Sequence, residues 1–288
     1  MEPRKRNRRG NRPAAREGAH PVASSSDRPT PSPAAFGRRL SRCAALFVNV
    51  AAAVLAVALV AAATVWRVNP YLTAVGLIAL GLVPFFASFE RQGPAAREVV
   101  LLAVLVALAV ASRAVFALVP HFKPMAAIVM IAGIALGSRR GFFVGALAAL
   151  ASGFLFGQGP WTPWQMLAFG AAGLTAGALA ARGLIPRDQL SLPRRIALAA
   201  GGFLFVVLVL GPILDTSSLM LMMAKITPAS AVAIYLAGLP VNLIHGAATA
   251  LTLFFAANPL LNQLARVRRK YGLRALPGPA RSDGPVSD

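Results

Sequence analysis

The chain has 288 residues, 57% of them apolar and 13% charged, with a mean hydropathy of +0.66. Soluble domains run near 45–50% apolar and about 25% charged, which excludes a water-soluble enzyme or nucleic-acid-binding domain as the default reading. The formal net charge of +20 does not restore nucleic acid as a partner, because most of the 29 basic residues lie outside the apolar runs. A single cysteine, Cys43, leaves no internal disulfide framework. His20, His121 and His245 are far apart, so neither a metal site nor a cofactor is expected.

Residues 1–43 are rich in Arg, Pro, Ser and Ala without an apolar period, and they read as a disordered basic tail. Arg38-Arg39-Leu40-Ser41 looks like a twin-arginine export signal, but the apolar run after it is too long and seven more follow. Eight apolar runs stand at about 44–66, 71–89, 98–119, 123–137, 141–157, 164–181, 196–215 and 231–257. Crossing ~30 Å of hydrocarbon takes about 20 helical residues, so the first, third, seventh and eighth read as full spans. The fourth and fifth are short and separated only by Ser138-Arg139-Arg140; they read as two short helices or one broken hairpin. No run reads as a sheet, so the expected fold class is an all-α integral membrane protein.

Charge supplies the orientation. With eight spans and the N-terminus inside, 25 of the 29 basic residues fall on the inner side. Only Arg67, Arg113, Lys123 and Lys225 fall outside or near the outer ends. Trp66, Trp161 and Trp164 all fall at the outer boundary, as interfacial anchors would. Both termini are expected to be cytoplasmic, in a bacterial plasma membrane.

Several chemistries are missing. There is no G-x-x-x-x-G-K-[ST] for ATP and no H-E-x-x-H. Within the spans, acids stand only at the ends, Glu98 at a start and Asp215 at a finish. An ion-coupled carrier normally needs ionisable groups at membrane depth, so transport here would not be self-powered.

Small residues recur at four-residue spacing: Ala103, Ala107 and Ala111 in the third span, and Gly141, Gly145, Ala149, Gly153 and Gly157 in the fifth. Gly173 and Gly177 add a pair in the sixth. Such stripes admit another helix closely, either within the bundle or from a partner protein. The outer loops Pro120–Pro124 and Gly157–Met166, with Asp215-Thr216-Ser217-Ser218, offer stacking surfaces, amides, one cation and one anion. They suit a pocket for a flat polar ligand. Equally, Pro and Gly set turns and Trp anchors the interface. Asn242 and His245 share a face of the eighth span, where a buried His is most simply a packing residue. Ser152 with His245 could be drawn as an intramembrane hydrolase dyad, but Ser152 lies in the Gly/Ala stripe with Leu150 where the motif glycine would stand.

Several of these stretches resemble one family. They are Ala96-Arg97-Glu98 with the Ala103/Ala107/Ala111 stripe, His121-Phe122-Lys123-Pro124, Gly133-Ile134-Ala135-Leu136-Gly137 and the two-Trp loop at 157–166. Leu239-Pro240-Val241-Asn242-Leu243-Ile244-His245 and Arg269-Lys270-Tyr271-Gly272 complete the set. From about 96 to 273 the chain resembles the S component, the substrate-binding membrane subunit, of energy-coupling factor (ECF) vitamin transporters. The resemblance implies a six-helix S-component-like bundle at 91–273, two added transmembrane helices at 44–90, the cytoplasmic tail 1–43 and a disordered tail 274–288. It implies capture of a vitamin from outside and no enzyme activity. The partners would be a membrane coupling subunit and two ATPases, with membrane lipid around the bundle and no nucleic acid. Ala103, Ala107 and Ala111 match the family's coupling-subunit motif. Expected substrate contacts are Lys123, Gln158, Trp161, Trp164, Gln165, Asp215 and Asn242. The Phe-Lys-Pro and Trp-Thr-Pro-Trp loops look most like the cobalamin-type group, so a corrinoid is the expected cargo, with a queuosine precursor or another flat vitamin next. Two other readings remain: a membrane scaffold working through its basic tail, and the Ser152/His245 hydrolase.

Overall fold

The computed structural model describes residues 96–187, 189–223 and 226–270, with 58, 62, 69, 72, 73, 75, 76 and 78–82 before them. The expected tails at 1–43 and 274–288, all of the first added span but residues 58 and 62, Lys225 and Tyr271-Gly272 lie outside the described residues. The helices are α1 (Ala96–Val115), α2 (Met125–Leu136), α3 (Ser138–Phe156), α4 (Thr162–Ala181), α5 (Leu192–Phe205), α6 (Gly211–Met222) and α7 (Pro228–Lys270). No strand occurs among the described residues. The chain is an all-α, multi-pass membrane protein: α1, α3, α4, the continuous stretch Leu192–Met222 and α7 are each long and apolar enough to cross a membrane.

The short fourth run resolves into a helix with an unusual position. α2 has 12 residues, about 18 Å of helix, too short to span alone. All 12 are buried, so α2 is the axis around which the longer helices pack. Gly137, at φ 95°, turns the chain straight into α3, and its N–H bonds the Gly133 carbonyl at 2.8 Å. Only a residue without a Cβ sits there cheaply. Gly183, at φ 77°, ends α4 in a Schellman arrangement: its N–H reaches Ala180 O and that of Leu184 reaches Leu179 O, at 3.2 and 3.1 Å.

The glycine stripes bring α2, α3 and α4 to backbone contact. A Cβ on Gly133 would overlap the Gly173 carbonyl, one on Gly173 the Gly141 carbonyl, and one on Gly145 the Phe169 carbonyl. Those stripes therefore pack inside the bundle. The alanine stripe does not: Ala103, Ala107 and Ala111 are exposed. They line a shallow apolar groove whose other wall is Leu147, Leu150, Ala151, Phe154 and Leu155 of α3.

The seventh run is one long helix interrupted by a π turn, Val206–Leu210. Pro212 explains its place. Without an N–H, Pro212 cannot continue the α ladder, and the wider turn before it absorbs the mismatch. The eighth run extends well past 257: α7 is 43 residues, ~65 Å, so it projects beyond any hydrocarbon layer and ends in Arg268-Arg269-Lys270. Arg268 caps the C-terminal end of α2, donating to Ala135 O at 2.7 Å. An ion pair between Arg140 and Glu98 ties the starts of α1 and α3 at the same end. Of the second added span, Leu82 is buried against Phe142 and Ala146.

Candidate functional site

At the end of the bundle opposite the Arg140–Glu98 pair, α1, α2, α4, α6 and α7 surround a cavity of about 190 Å³. Lys123 enters from the loop between α1 and α2, Gln165 from the first turn of α4, Asp215 from α6 and Asn242 from α7. Four of the seven expected substrate contacts therefore share one space. Arg113, His121, Phe169 and His245 join them.

The Asp215–Asn242 pair is built deliberately into the α6–α7 contact. Asn242 Nδ2 donates to Asp215 Oδ2 at 2.7 Å. Gly211 and Gly238 make the room: a Cβ at the first would strike the Asn242 amide, and one at the second the Asp215 carboxylate. One turn further along α7, His245 is buried, with its ring centre 6.0 Å from that of Phe169. Its Nε2 has no hydrogen-bond partner. A buried, unpaired ring nitrogen costs free energy unless something fills the need, which makes it a polar contact available to a ligand.

The lining is cationic on one side. Arg113 closes α1, and Lys123 sits in the loop beyond it. Burial, and after it the charge of Arg113, hold the Lys123 ammonium below the usual lysine range. His121, at the lip, has φ 60°, a left-handed backbone that a non-glycine residue adopts at some cost. Asp215 is the one acid in the lining, and Asn242 already contacts it. The arrangement offers donors to ligand carbonyls or negative groups, two amides, and the buried face of Phe169 for a ring.

The other three expected contacts lie outside this lining. Gln158 is spent on its own loop: Nε2 donates to Leu150 O at 2.8 Å, and Oε1 accepts from Thr162 Oγ1 at 2.7 Å. Thr162 Oγ1 in turn accepts from Gly159 N–H, which closes the turn into α4. Trp161 is 38% exposed and packs over Gly159, where a Cβ would meet its ring. Trp164 is buried with Nε1 unpaired. Arg113 and Phe169 are not among the expected contacts, His121 stands only as part of the Pro120–Pro124 loop, and His245 reads from the sequence as a packing residue. The available signal was Arg113 itself, a lone cation at the end of an otherwise uncharged stretch. The hydrolase pairing does not form: Ser152 is fully buried, accepts from Arg113 Nη1 and donates to Ala149 O, at 2.7 and 3.1 Å.

A family model described as ECF-type riboflavin transporter, S component, matches residues 95–266, more than half of the chain. No curated protein and no solved structure matches. The match agrees with the S-component resemblance of the motifs but falls on the riboflavin type, giving the expected cobalamin-type group no support. An S component is a substrate-binding subunit of a vitamin transporter and not an enzyme. The chain belongs to the ECF-type riboflavin transporter S component family.

Proposed function

We propose that this protein captures riboflavin, or a close flavin relative, from outside a bacterial cell for ATP-driven import by partner subunits. The observation that carries the reading is the polar cavity of Arg113, Lys123, Gln165, Asp215, Asn242 and His245 with Phe169 beside it, in a chain that matches the riboflavin-type family over this whole region. A flavin ring has carbonyls and an N–H along one edge and a flat apolar body. Amides and cations suit the edge, and Phe169 suits the body. At about 190 Å³ the cavity is below the ~300 Å³ where pockets for drug-sized ligands begin, so the loops over it must yield on binding. A three-ring flavin asks far less of them than a corrinoid macrocycle does.

The exposed alanine groove between α1 and α3 is the surface proposed for the membrane coupling subunit, with two ATPases completing the importer. The basic end of the bundle, carrying Arg140, Arg182, Arg194 and Arg195, would face the cytoplasm together with both termini. Titration of the purified chain with riboflavin, followed by quenching of flavin fluorescence and by calorimetry, tests the ligand. Saturable binding to riboflavin and none to cobalamin is expected. Heat with cobalamin alone would return the assignment to a corrinoid, and silence with both would remove the vitamin-binding reading.

A further inference from the structure

A second cavity, about 270 Å³, lies at the arginine-rich end between α2, α4 and α5, away from the flavin site. Its wall is almost wholly apolar: Met130, Ala176, Leu179, Ile185, Leu198 and Phe205 are representative. It reaches the outer surface of the bundle, because Leu184 and Gly201, both in the lining, are exposed, and a Cβ on Gly201 would meet nothing within 4 Å. The outward face of α5 is apolar as well. Leu192, Ile196 and Leu204 are all more than half exposed. In a membrane protein such a surface is bathed by acyl chains.

The mouth also lies at headgroup depth. α4 ends at Ala181 and α5 begins at Leu192, so the loop between them marks the end of the hydrocarbon-spanning stretch. That loop and the first turn of α5 carry Arg182, Arg187, Arg194 and Arg195 against one acid, Asp188. Arg195 is committed to α7, where its Nε donates to Phe254 O at 2.9 Å and its guanidinium lies over the Phe254 ring. Arg194 lines the cavity itself. Arg187, next to the lining residues Ile185 and Pro186, has a buried Nε with no hydrogen-bond partner. A guanidinium nitrogen buried without an acceptor calls for an anionic oxygen.

We propose that this cavity is a binding site for an anionic phospholipid, with an acyl chain in the apolar hole and the phosphate on Arg187 and Arg194. The charge at the mouth selects an anionic headgroup over a zwitterionic one, and the sideways opening selects a lipid over a free soluble anion. The site is independent of the flavin cavity and of whatever that cavity binds.

The test uses the full chain reconstituted in nanodiscs of equal phosphatidylglycerol and phosphatidylcholine, released into mild detergent, with retained lipid measured by native mass spectrometry. Phosphatidylglycerol should remain bound in clear excess over phosphatidylcholine. The double substitution Arg187→Gln/Arg194→Gln should lower its retention on the order of tenfold, with an unchanged melting temperature. Gly201→Leu, whose side chain would occupy the open mouth, should lower retention without touching charge. Equal retention of the two lipids, or phosphatidylglycerol retention indifferent to the arginine pair, overturns the proposal. So does displacement of all bound lipid by millimolar inorganic phosphate, which would mark the arginines as a site for a free anion.

Discussion

Arg113 of α1 donates from Nη1 to Ser152 Oγ of α3 across 2.7 Å, and its guanidinium carbon stands 4.5 Å from the centre of the Phe156 ring. One side chain thus belongs both to the lining of the polar cavity and to the α1–α3 contact. The same two helices form the alanine groove on their outer side. A ligand that draws on the Arg113 charge acts on the helix pair that the coupling subunit is proposed to grip.

Ser152→Ala removes the acceptor from a half-buried cation. Hydrogen bonds to charged groups contribute about 1.5–3 kcal/mol, so the variant should melt at a lower temperature and bind riboflavin more weakly as Arg113 loses its support. Thermal unfolding in detergent reads the first effect and fluorescence titration the second. An unchanged melting temperature would show that water replaces Ser152 without cost.

Lys123 gives a pH signature. Its folded-state value is lowered by burial first and by Arg113 second, so the unfolded chain holds this proton more tightly than the folded one. The destabilisation is therefore present in full below the lowered value, and stability rises with pH from there towards the ordinary ~10.4. Lys123→Gln should raise the melting temperature at neutral pH, and the gap should narrow as pH climbs. Riboflavin affinity should fall in the same variant. A gap that does not change with pH would assign the effect to packing and not to charge.

Ala107 tests the groove. It is exposed on α1 and lines the groove, so Ala107→Trp fills the surface where close helix approach is needed. Riboflavin binding by the isolated subunit should persist while uptake by cells carrying the partner subunits collapses. Loss of both together would mean misfolding, and normal uptake would take the groove out of the interface.

The order of helices was readable from apolar runs because bilayer thickness imposes length on each span. What each small-residue stripe does was not. Ala103/Ala107/Ala111 and Gly141/Gly145/Ala149 carry the same four-residue spacing, and only the packing separates a stripe pressed against Gly173 and Phe169 from one facing open space. The site was half legible. Lys123, Gln165, Asp215 and Asn242 stood out as polar residues in apolar or loop contexts, and they do gather. Phe169 and His245 could not be told from core residues, since a residue apolar or aromatic on a buried helix looks the same whether it faces a cavity or a neighbour. Within the 157–166 loop, Gln158 and Thr162 spend their polar groups on shaping the turn into α4, whereas Gln165 reaches the cavity.

Which aromatic ring meets the ligand can be decided directly. Phe169 is 5% exposed, lines the cavity and lies against His245, whereas Trp161 is outside the lining and packs on Gly159. An aromatic pair is worth about 0.5–1.5 kcal/mol beyond its area, so Phe169→Leu, which keeps most of the volume and loses the ring, should weaken riboflavin binding several-fold. Trp161→Ala removes a partly exposed side chain away from the cavity. Surface changes of that kind stay within roughly 0.5 kcal/mol, which is about a twofold change in affinity. Both variants should elute as the native protein does, and circular dichroism should show the helical content intact. If Trp161→Ala instead costs more than Phe169→Leu, the ligand stacks beneath the 157–166 loop, and the cavity between α4, α6 and α7 is only a part of its site.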